Sequence, residues 1–270
     1  MNRYTFSREI RRPEVDLLRA GLLFSREIAY PGLDVAAYEM QLDDLAVHAA
    51  DALDSTLSRP IALARYLFQE AEFQGNASAY EDPRNSYLNE VLERRLGIPI
   101  SLSVVFIAVA GRLGIDAYGL SLPGHFIVGA HANGEEILLD PFHQGRRLAL
   151  DDCQRLVRQT TGYEGALDPA WMCPASPQLI LARMLNNLRT IYVQAQQWER
   201  ATAVVVHLRQ LQPGAPEHLR DLGLIHYQQG RLYRAAHYLE NFLDQAPDSP
   251  EATAIRQNLQ MDFSRWARLN

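Results

Sequence analysis

The chain has 270 residues, 47% of them hydrophobic and 21% charged, and a formal net charge of −6. This length and balance indicate a globular protein with one large domain or two ordinary ones. The acidic charge argues against a general nucleic-acid binder, whose affinity would rest on neutralising phosphates. All 26 basic residues are arginine, which excludes lysine Schiff-base chemistry and a P-loop that needs a lysine.

The two cysteines, Cys153 and Cys173, form no CxxC pattern. Neither a disulfide scaffold nor a thiolate zinc site is therefore expected. The first residues lack the apolar segment of a secretory leader, and no long uncharged run follows them. We expect a cytoplasmic protein that does not interact with membranes.

The first part of the chain is predicted to be helical. Apolar residues recur at helical spacing from Pro13 to about Phe73. Another helix is predicted from about Ser86 to Leu96, with Gly97 as its C-terminal stop. The segment from Ser101 to Leu113 is apolar on nearly all sides, which predicts a central buried helix.

After Gly114 the pattern changes to that of strands. Three strands are predicted, and Asn133-Gly134 between the last two is a hairpin turn signal. The predicted strands are Ala117–Leu122, Phe126–Ala130 and Glu136–Asp140. A helix is expected to follow from Leu150 to Thr160.

The last part of the chain repeats with a period of 34 residues. Three pairs have this spacing: Leu188 and Leu222, Ala201 and Ala235, and Pro213 and Pro247. A 34-residue period with small residues at a helix crossing is typical of tetratricopeptide repeats, and Ser249–Met261 would form a closing helix. We expect two domains, residues 1–176 and residues 177–270. The repeats are predicted to bind a protein or peptide partner, because helical repeats present a groove.

The hairpin turn predicts that His125 and Asp140 lie close together. A two-residue turn at Asn133-Gly134 places Asp140 opposite Ile127 and His125 opposite Phe142. Side chains alternate along a strand, so the imidazole and the carboxylate would share one face within hydrogen-bond reach. Such a carboxylate would fix the tautomer of the histidine and stabilise its charged form.

Ser101 is predicted to lie at the start of the buried helix. Serine is a preferred N-cap residue, which is a structural role. The same place offers free backbone N–H groups and the positive end of the helix dipole, which stabilise an oxyanion or activate a nucleophile. The order Ser101, His125, Asp140 is that of papain-like and transglutaminase-like enzymes, with a hydroxyl in place of their thiol.

Further histidines lie near the predicted hairpin. His131 could share a face with His125, and His143 follows Asp140 closely. Their spacings match no standard metal-binding motif. The sequence by itself therefore predicts no metal and no cofactor.

Several segments together resemble one bacterial family. The family is the SirB-type family, also described as transglutaminase-like and tetratricopeptide-repeat-containing, and the segments are 85–88, 95–103, 122–126 and 137–142. The resemblance implies a transglutaminase-like, papain-like core with a Cys-His-Asp site. His125 and Asp140 match the last two members, whereas Ser101 or its neighbour Pro99 falls where the cysteine is expected.

The predicted fold class is α+β. A helical N-terminal region and a transglutaminase-like (papain-like) core with a small antiparallel sheet precede C-terminal α-helical repeats of tetratricopeptide type. Three functions are compatible with this arrangement, and the sequence does not decide whether the protein is an enzyme. The first is a non-catalytic module that binds a protein or peptide. The second is a serine-dependent amide or ester hydrolase or acyltransferase that uses Ser101, His125 and Asp140. The third is a purely structural adaptor that acts through its repeats.

Overall fold

A computed structural model describes residues 4–53 and 57–257 of the chain. Its contacts divide the chain into two units, Met1–Asn187 and Leu188–Asn270. Within the described ranges, every helix is too short or too polar to span a lipid bilayer. Each unit is described separately below.

The first unit begins with helices, as the apolar spacing predicts. The side chains of Asp16 and Asp34 accept backbone N–H groups at the starts of the second and third helices, which is the usual stabilisation of a helix N-terminus. The helices are α1 (Phe6–Glu9), α2 (Leu17–Ile28), α3 (Val35–Ala52) and α4 (Arg59–Arg65), and a π-helical turn, Tyr66–Glu70, follows α4.

The segment before the buried helix differs from its prediction. Helix α5 is shorter than expected, spanning Leu88–Arg94, and the left-handed residue Arg95 ends it. Strand β1 (Gln74–Gly75) pairs in parallel with β2 (Leu96–Gly97), so the prediction of Gly97 as a helix stop is wrong. A Cβ atom at position 97 would lie 2.7 Å from the Oγ atom of Ser101, so this glycine leaves room for the Ser101 side chain.

The predicted central helix is present and buried, but it begins two residues early. Helix α6 spans Pro99–Arg112, and Ile98 is its N-cap residue. Proline is favoured in the first turn because its missing N–H group would have no partner there. Ser101 therefore occupies the third helical position, and its prediction as the N-cap is wrong.

The sheet contains the three predicted strands and one more. In the described part of the chain it is a four-stranded antiparallel sheet in the order β3-β4-β5-β6. Ala132 pairs with Glu135 across the turn, and Val128 pairs with Leu139, which confirms the predicted register. The strands are β3 (Ala117–Leu120), β4 (Ile127–Ala132), β5 (Glu135–Asp140) and β6 (Arg146–Leu148).

The helix predicted after the sheet is confirmed as α7 (Leu150–Thr161). It packs its apolar side on the sheet, where Cys153 and Val157 join Ile127 and Leu138 in a buried cluster. Strand β6 was not predicted because it has three residues, two of them exposed arginines. It therefore lacks the alternation by which a strand is recognised.

The second unit consists of antiparallel helices with small residues where they cross. It begins at Leu188, within helix α8 (Pro177–Gln194), and continues with α9 (Trp198–Leu211), α10 (Glu217–Gln228) and α11 (Leu232–Gln245). Gly223 and Ala235 lie at the crossing of α10 with α11, as the 34-residue spacing predicts. Residues 252–257 are helical, and the rest of the predicted closing helix beyond 257 lies outside the described residues.

Candidate functional site

The hairpin brings His125 and Asp140 together. Asp140 is the last residue of β5, and His125 lies two residues before β4. The register continues past Val128 and Leu139 to place Asp140 opposite Ile127, two residues from His125. The imidazole Nε2 and the carboxylate Oδ1 are 3.0 Å apart, and the two side chains are 5% and 0% exposed. The predicted proximity is confirmed, and the contact is made by the Nε2 atom of the imidazole.

The backbone of His125 is also held in place. Arg183 of α8 donates hydrogen bonds to the carbonyl oxygens of His125 and Leu122, each at 2.8 Å, and to the hydroxyl of Ser121. The guanidinium also lies over the ring of Phe126, 5.6 Å from its centroid. Arg183 therefore fixes the turn that carries the histidine. The sequence analysis missed it, because no local pattern links position 183 to position 125.

Asp140 is shared by two histidines. Its Oδ2 accepts from Nδ1 of His143 at 2.7 Å, and its Oδ1 also accepts the backbone N–H groups of Phe142 and His143. Burial alone would raise the pKa of this carboxyl. The hydrogen bonds and charges of His125 and His143 outweigh burial and hold the pKa below its ordinary value. The carboxylate is thus kept ionised in a buried place.

Ser101 lies apart from this network. It is fully buried, and its Oγ accepts the backbone N–H of Ile98 at 3.1 Å. The hydroxyl lies 2.6 Å from the carbonyl oxygen of Asn85 and 3.1 Å from that of Ile98. None of the hydrogen bonds found for Ser101 in the described structure reaches His125. The oxygen caps the start of α6 from the third helical position.

Asn85 is a buried residue that the sequence indicated only as part of the segment 85–88. Its side chain bonds to Asn76 at 3.0 Å and donates to the carbonyl oxygens of Ala79 and Tyr80. These bonds fold the loop so that the carbonyl of Asn85 meets the hydroxyl of Ser101. The turn-forming residues in the segments 75–78 and 81–85 predict a loop here, but not the bonds within it.

Neither cysteine supplies the thiol that the resemblance implies. Cys153 is fully buried in the apolar cluster beneath the sheet, and burial raises the pKa of its thiol to about 11. Such a thiol is not a nucleophile at neutral pH. Cys173 is exposed, and its Sγ atom lies 3.7 Å from the carbonyl oxygen of Pro169.

One cluster in the described part of the chain has the residue types of a metal site. The ligating atoms of His125, Asp140 and His143 all lie within 4.8 Å of one another. His131, which the sequence could have placed with them, instead pairs with Asp116 at 2.8 Å on the surface.

Comparisons with known proteins agree with this architecture. Residues 36–186 match the model of the transglutaminase-like superfamily, and residues 188–260 match that of the tetratricopeptide repeat. A UPF0162 protein of Xylella fastidiosa is 37% identical over 249 residues, which cover 90% of this chain and 88% of the relative. A UPF0162 protein of Pseudomonas aeruginosa is 32% identical over 224 residues, 81% of each chain.

Among solved structures, a crystal structure of menin aligns with 89% of this chain and 68% of its own, with a TM-score of 0.42 and 13% identity. The matches over the length of the sequence establish the family. The chain belongs to the transglutaminase-like superfamily, as a UPF0162 protein with C-terminal tetratricopeptide repeats.

Proposed function

We propose that this protein is a non-catalytic binding module. In this proposal the transglutaminase-like unit keeps the fold and the His125–Asp140 pair but has no working nucleophile. The repeats hold a protein or peptide partner. The observation that carries the first half is the state of Ser101.

A nucleophilic serine needs an accessible oxygen and a base to take its proton. The oxygen of Ser101 is fully buried and accepts the N–H group of Ile98. Its proton has two backbone carbonyl oxygens within hydrogen-bond distance, at 2.6 and 3.1 Å. Attack on a substrate would require the start of α6 to give up these bonds, so the contacts support a structural role.

The repeats supply the surface for the second half of the proposal. A groove of about 460 Å³ runs between α8 and α10, and we call it the repeat groove. Val193 and Leu224 on its wall are 38% and 45% exposed. Arg189 and Arg220 at its edge both pair with Asp221. An apolar wall with a polar edge suits an amphipathic helix or an extended peptide.

Partner binding is tested with two full-length variants, each of which has one exposed apolar residue of the repeats replaced by glutamate. Leu224→Glu places a charge on the wall of the repeat groove. Val206→Glu makes the same kind of change at a residue of α9 that is 38% exposed, against 45% for Leu224, and that does not line the groove. We expect proteins captured by the wild type to be retained by Val206→Glu and lost with Leu224→Glu. Equal capture by all three proteins would contradict binding through the groove.

The buried His125–Asp140 pair favours a second candidate, a serine-dependent hydrolase or acyltransferase. In that mechanism Ser101 would attack, His125 would act as base and then as acid, and Asp140 would orient the imidazole. A fluorophosphonate that reacts with activated serines separates the two candidates. We expect no adduct on the folded wild type by intact mass. One adduct that disappears in both Ser101→Ala and His125→Ala would replace the proposal with the hydrolase.

A further inference from the structure

The Asp140 carboxylate is contacted by two imidazoles, and these three side chains are potential metal ligands. His125 Nε2 lies 3.0 Å from Oδ1 of Asp140, and His143 Nδ1 lies 2.7 Å from Oδ2 of the same carboxylate. The two imidazole rings stack at 27°, with their centroids 5.8 Å apart. Both rings therefore direct a nitrogen at one carboxylate from neighbouring positions.

The spacing of these atoms is close to that of a coordination sphere. In a tetrahedral zinc site with bonds of about 2.0–2.1 Å, ligand atoms lie about 3.3 Å from one another. Here the ligating atoms lie within 4.8 Å of one another. His143 ends the short 3-10 helix Pro141–His143, and its side chain is 51% exposed. Its ring can therefore shift to close the sphere without moving the core.

The groups around the cluster hold two of the ligands in place. The N–H groups of Phe142 and His143 donate to the Asp140 carboxylate, and Arg183 fixes the backbone of His125. Contacts of this kind orient the ligands in metal sites. The exposed side of His143 leaves a route by which an ion and a water molecule can enter.

We propose that His125, Asp140 and His143 bind one divalent transition-metal ion of the zinc type, with a fourth position open to solvent. Two imidazoles and one carboxylate with an open position are the donor set of catalytic zinc sites. Binding replaces both imidazole–carboxylate hydrogen bonds. The proton that each imidazole now donates to Asp140 is exchanged through solvent. The ring then carries its proton on the other nitrogen and binds the ion through the freed one. The proposal goes beyond the proposed function, since it concerns a cluster that the repeat groove does not include.

The test is a titration of tag-free, metal-free full-length protein with Co²⁺, followed by competition with Zn²⁺. Cys173→Ser is included in every sample because this exposed thiol could bind the ion by itself. We expect one equivalent of Co²⁺ with the visible absorption of a low-symmetry, four- or five-coordinate site. His143→Ala should lower the affinity by at least about tenfold. Loss of a residue that only contacts a ligand already costs about 10–100-fold in affinity, and His143 is itself a ligand in this proposal.

A matched control comes from the surface pair of His131 and Asp116. It has the same imidazole–carboxylate contact, at 2.8 Å, but belongs to no group of three ligands in the described structure. His131→Ala should leave the titration unchanged. Circular dichroism of each variant confirms that it is folded, and a rise in Tm with Zn²⁺ gives a second measure of binding.

Two results would overturn the proposal. The first is the absence of a saturable Co²⁺ signal and of any Zn²⁺-dependent rise in Tm for the folded Cys173→Ser protein, which is the parent of the other variants. The second is an affinity that His143→Ala leaves unchanged. If His143→Ala fails to fold, Asp140→Asn takes its place, with the same expected loss. Neither result depends on partner capture by the repeats, so this test and that of the proposed function fail separately.

Discussion

Removal of the Ser101 hydroxyl separates a structural serine from a nucleophile. In Ser101→Ala the backbone N–H of Ile98 loses its acceptor, and the carbonyl oxygen of Asn85 loses the donor at 2.6 Å. Ile98 is 3% exposed and Asn85 is fully buried. Water therefore cannot replace the missing hydroxyl without opening the packing around the start of α6.

The size of the effect follows from the unpaired donor. A buried polar group left without a partner costs about 1–3 kcal/mol. Loss of a side-chain cap at a helix start costs about 0.5–2 kcal/mol, and this is the same hydrogen bond, so the two figures are not added. The higher helix propensity of alanine returns only about 0.5 kcal/mol. We expect Ser101→Ala to lower the free energy of unfolding by about 0.5–2.5 kcal/mol.

Ser103→Ala is the matched control, because Ser103 lies on the same helix and is also fully buried. Its hydroxyl donates to the carbonyl oxygen of Pro99 at 2.8 Å. That carbonyl also accepts the helical N–H four residues on, so the control leaves no buried donor unpaired. The lost hydrogen bond costs about 0.5–1.5 kcal/mol and alanine's helix propensity returns about 0.5 kcal/mol, so the free energy of unfolding should fall by no more than about 1 kcal/mol.

Urea denaturation followed by circular dichroism measures both variants, and equal m-values license a comparison of the midpoints. A Ser101→Ala protein as stable as Ser103→Ala, or more stable than the wild type, would refute the structural role. Active-site residues are often kept at a cost in stability. A stabilising Ser101→Ala would therefore return the nucleophile to consideration.

Three further predictions concern acid stability, thiol reactivity and helix packing. Hydrogen bonds from two histidines hold the pKa of Asp140 below its ordinary value of 3.8 against the effect of burial, so the folded state binds fewer protons than the unfolded state. The ionised carboxylate therefore stabilises the fold above about pH 4, and this stabilisation is lost as the pH falls through the folded-state pKa. Between about pH 5 and pH 3 the urea midpoint should fall less steeply for Asp140→Asn than for the wild type. Equal slopes for the two proteins would contradict this. Burial raises the pKa of Cys153 to about 11, whereas Cys173 is exposed. The native protein should therefore consume one equivalent of a disulfide reagent at neutral pH, and the denatured protein two. Two equivalents in the native state would show that Cys153 is accessible. In Gly223→Ala the new Cβ atom would lie 2.6 Å from the side chain of Leu239 in α11, whereas the Cβ atom of Gly214→Ala would have nothing within 4 Å. Gly223→Ala should therefore destabilise the repeats by about 1–3 kcal/mol, and Gly214→Ala should not. Equal melting curves for the two variants would argue against this packing.

The site contains the hydrogen-bonded pair of His125 and Asp140, and a serine, Ser101, whose hydroxyl bonds to the backbone. In a thiol enzyme of this residue order, the helix start would hold a thiolate beside the imidazole. Here α6 uses Ser101 to join its own first turn to the loop that contains Asn85. Asp140 meanwhile bonds to a second histidine, His143. In this chain the start of α6 thus uses its serine for stability, and the carboxylate of the pair binds two imidazoles.

The sequence by itself determined the features that depend on neighbours along the chain. Turn chemistry at Asn133-Gly134 set the register that joins His125 to Asp140, and this register is observed. The 34-residue period located the repeats. The turn is encoded by two adjacent residues. The repeats are recognised because each copy places the same residue types at the same spacing along the chain.

Only the tertiary structure decided how the remaining groups are used. The partner of the Ser101 hydroxyl is a carbonyl 16 residues away, and the guanidinium of Arg183 reaches a backbone 58 residues away. Strand β6 exists because β5 offers it an edge, since its own three residues carry no strand pattern. His143 joins Asp140 because a 3-10 turn after β5 folds it back. Such contacts depend on which surfaces packing brings together, and residue spacing along the chain does not encode that.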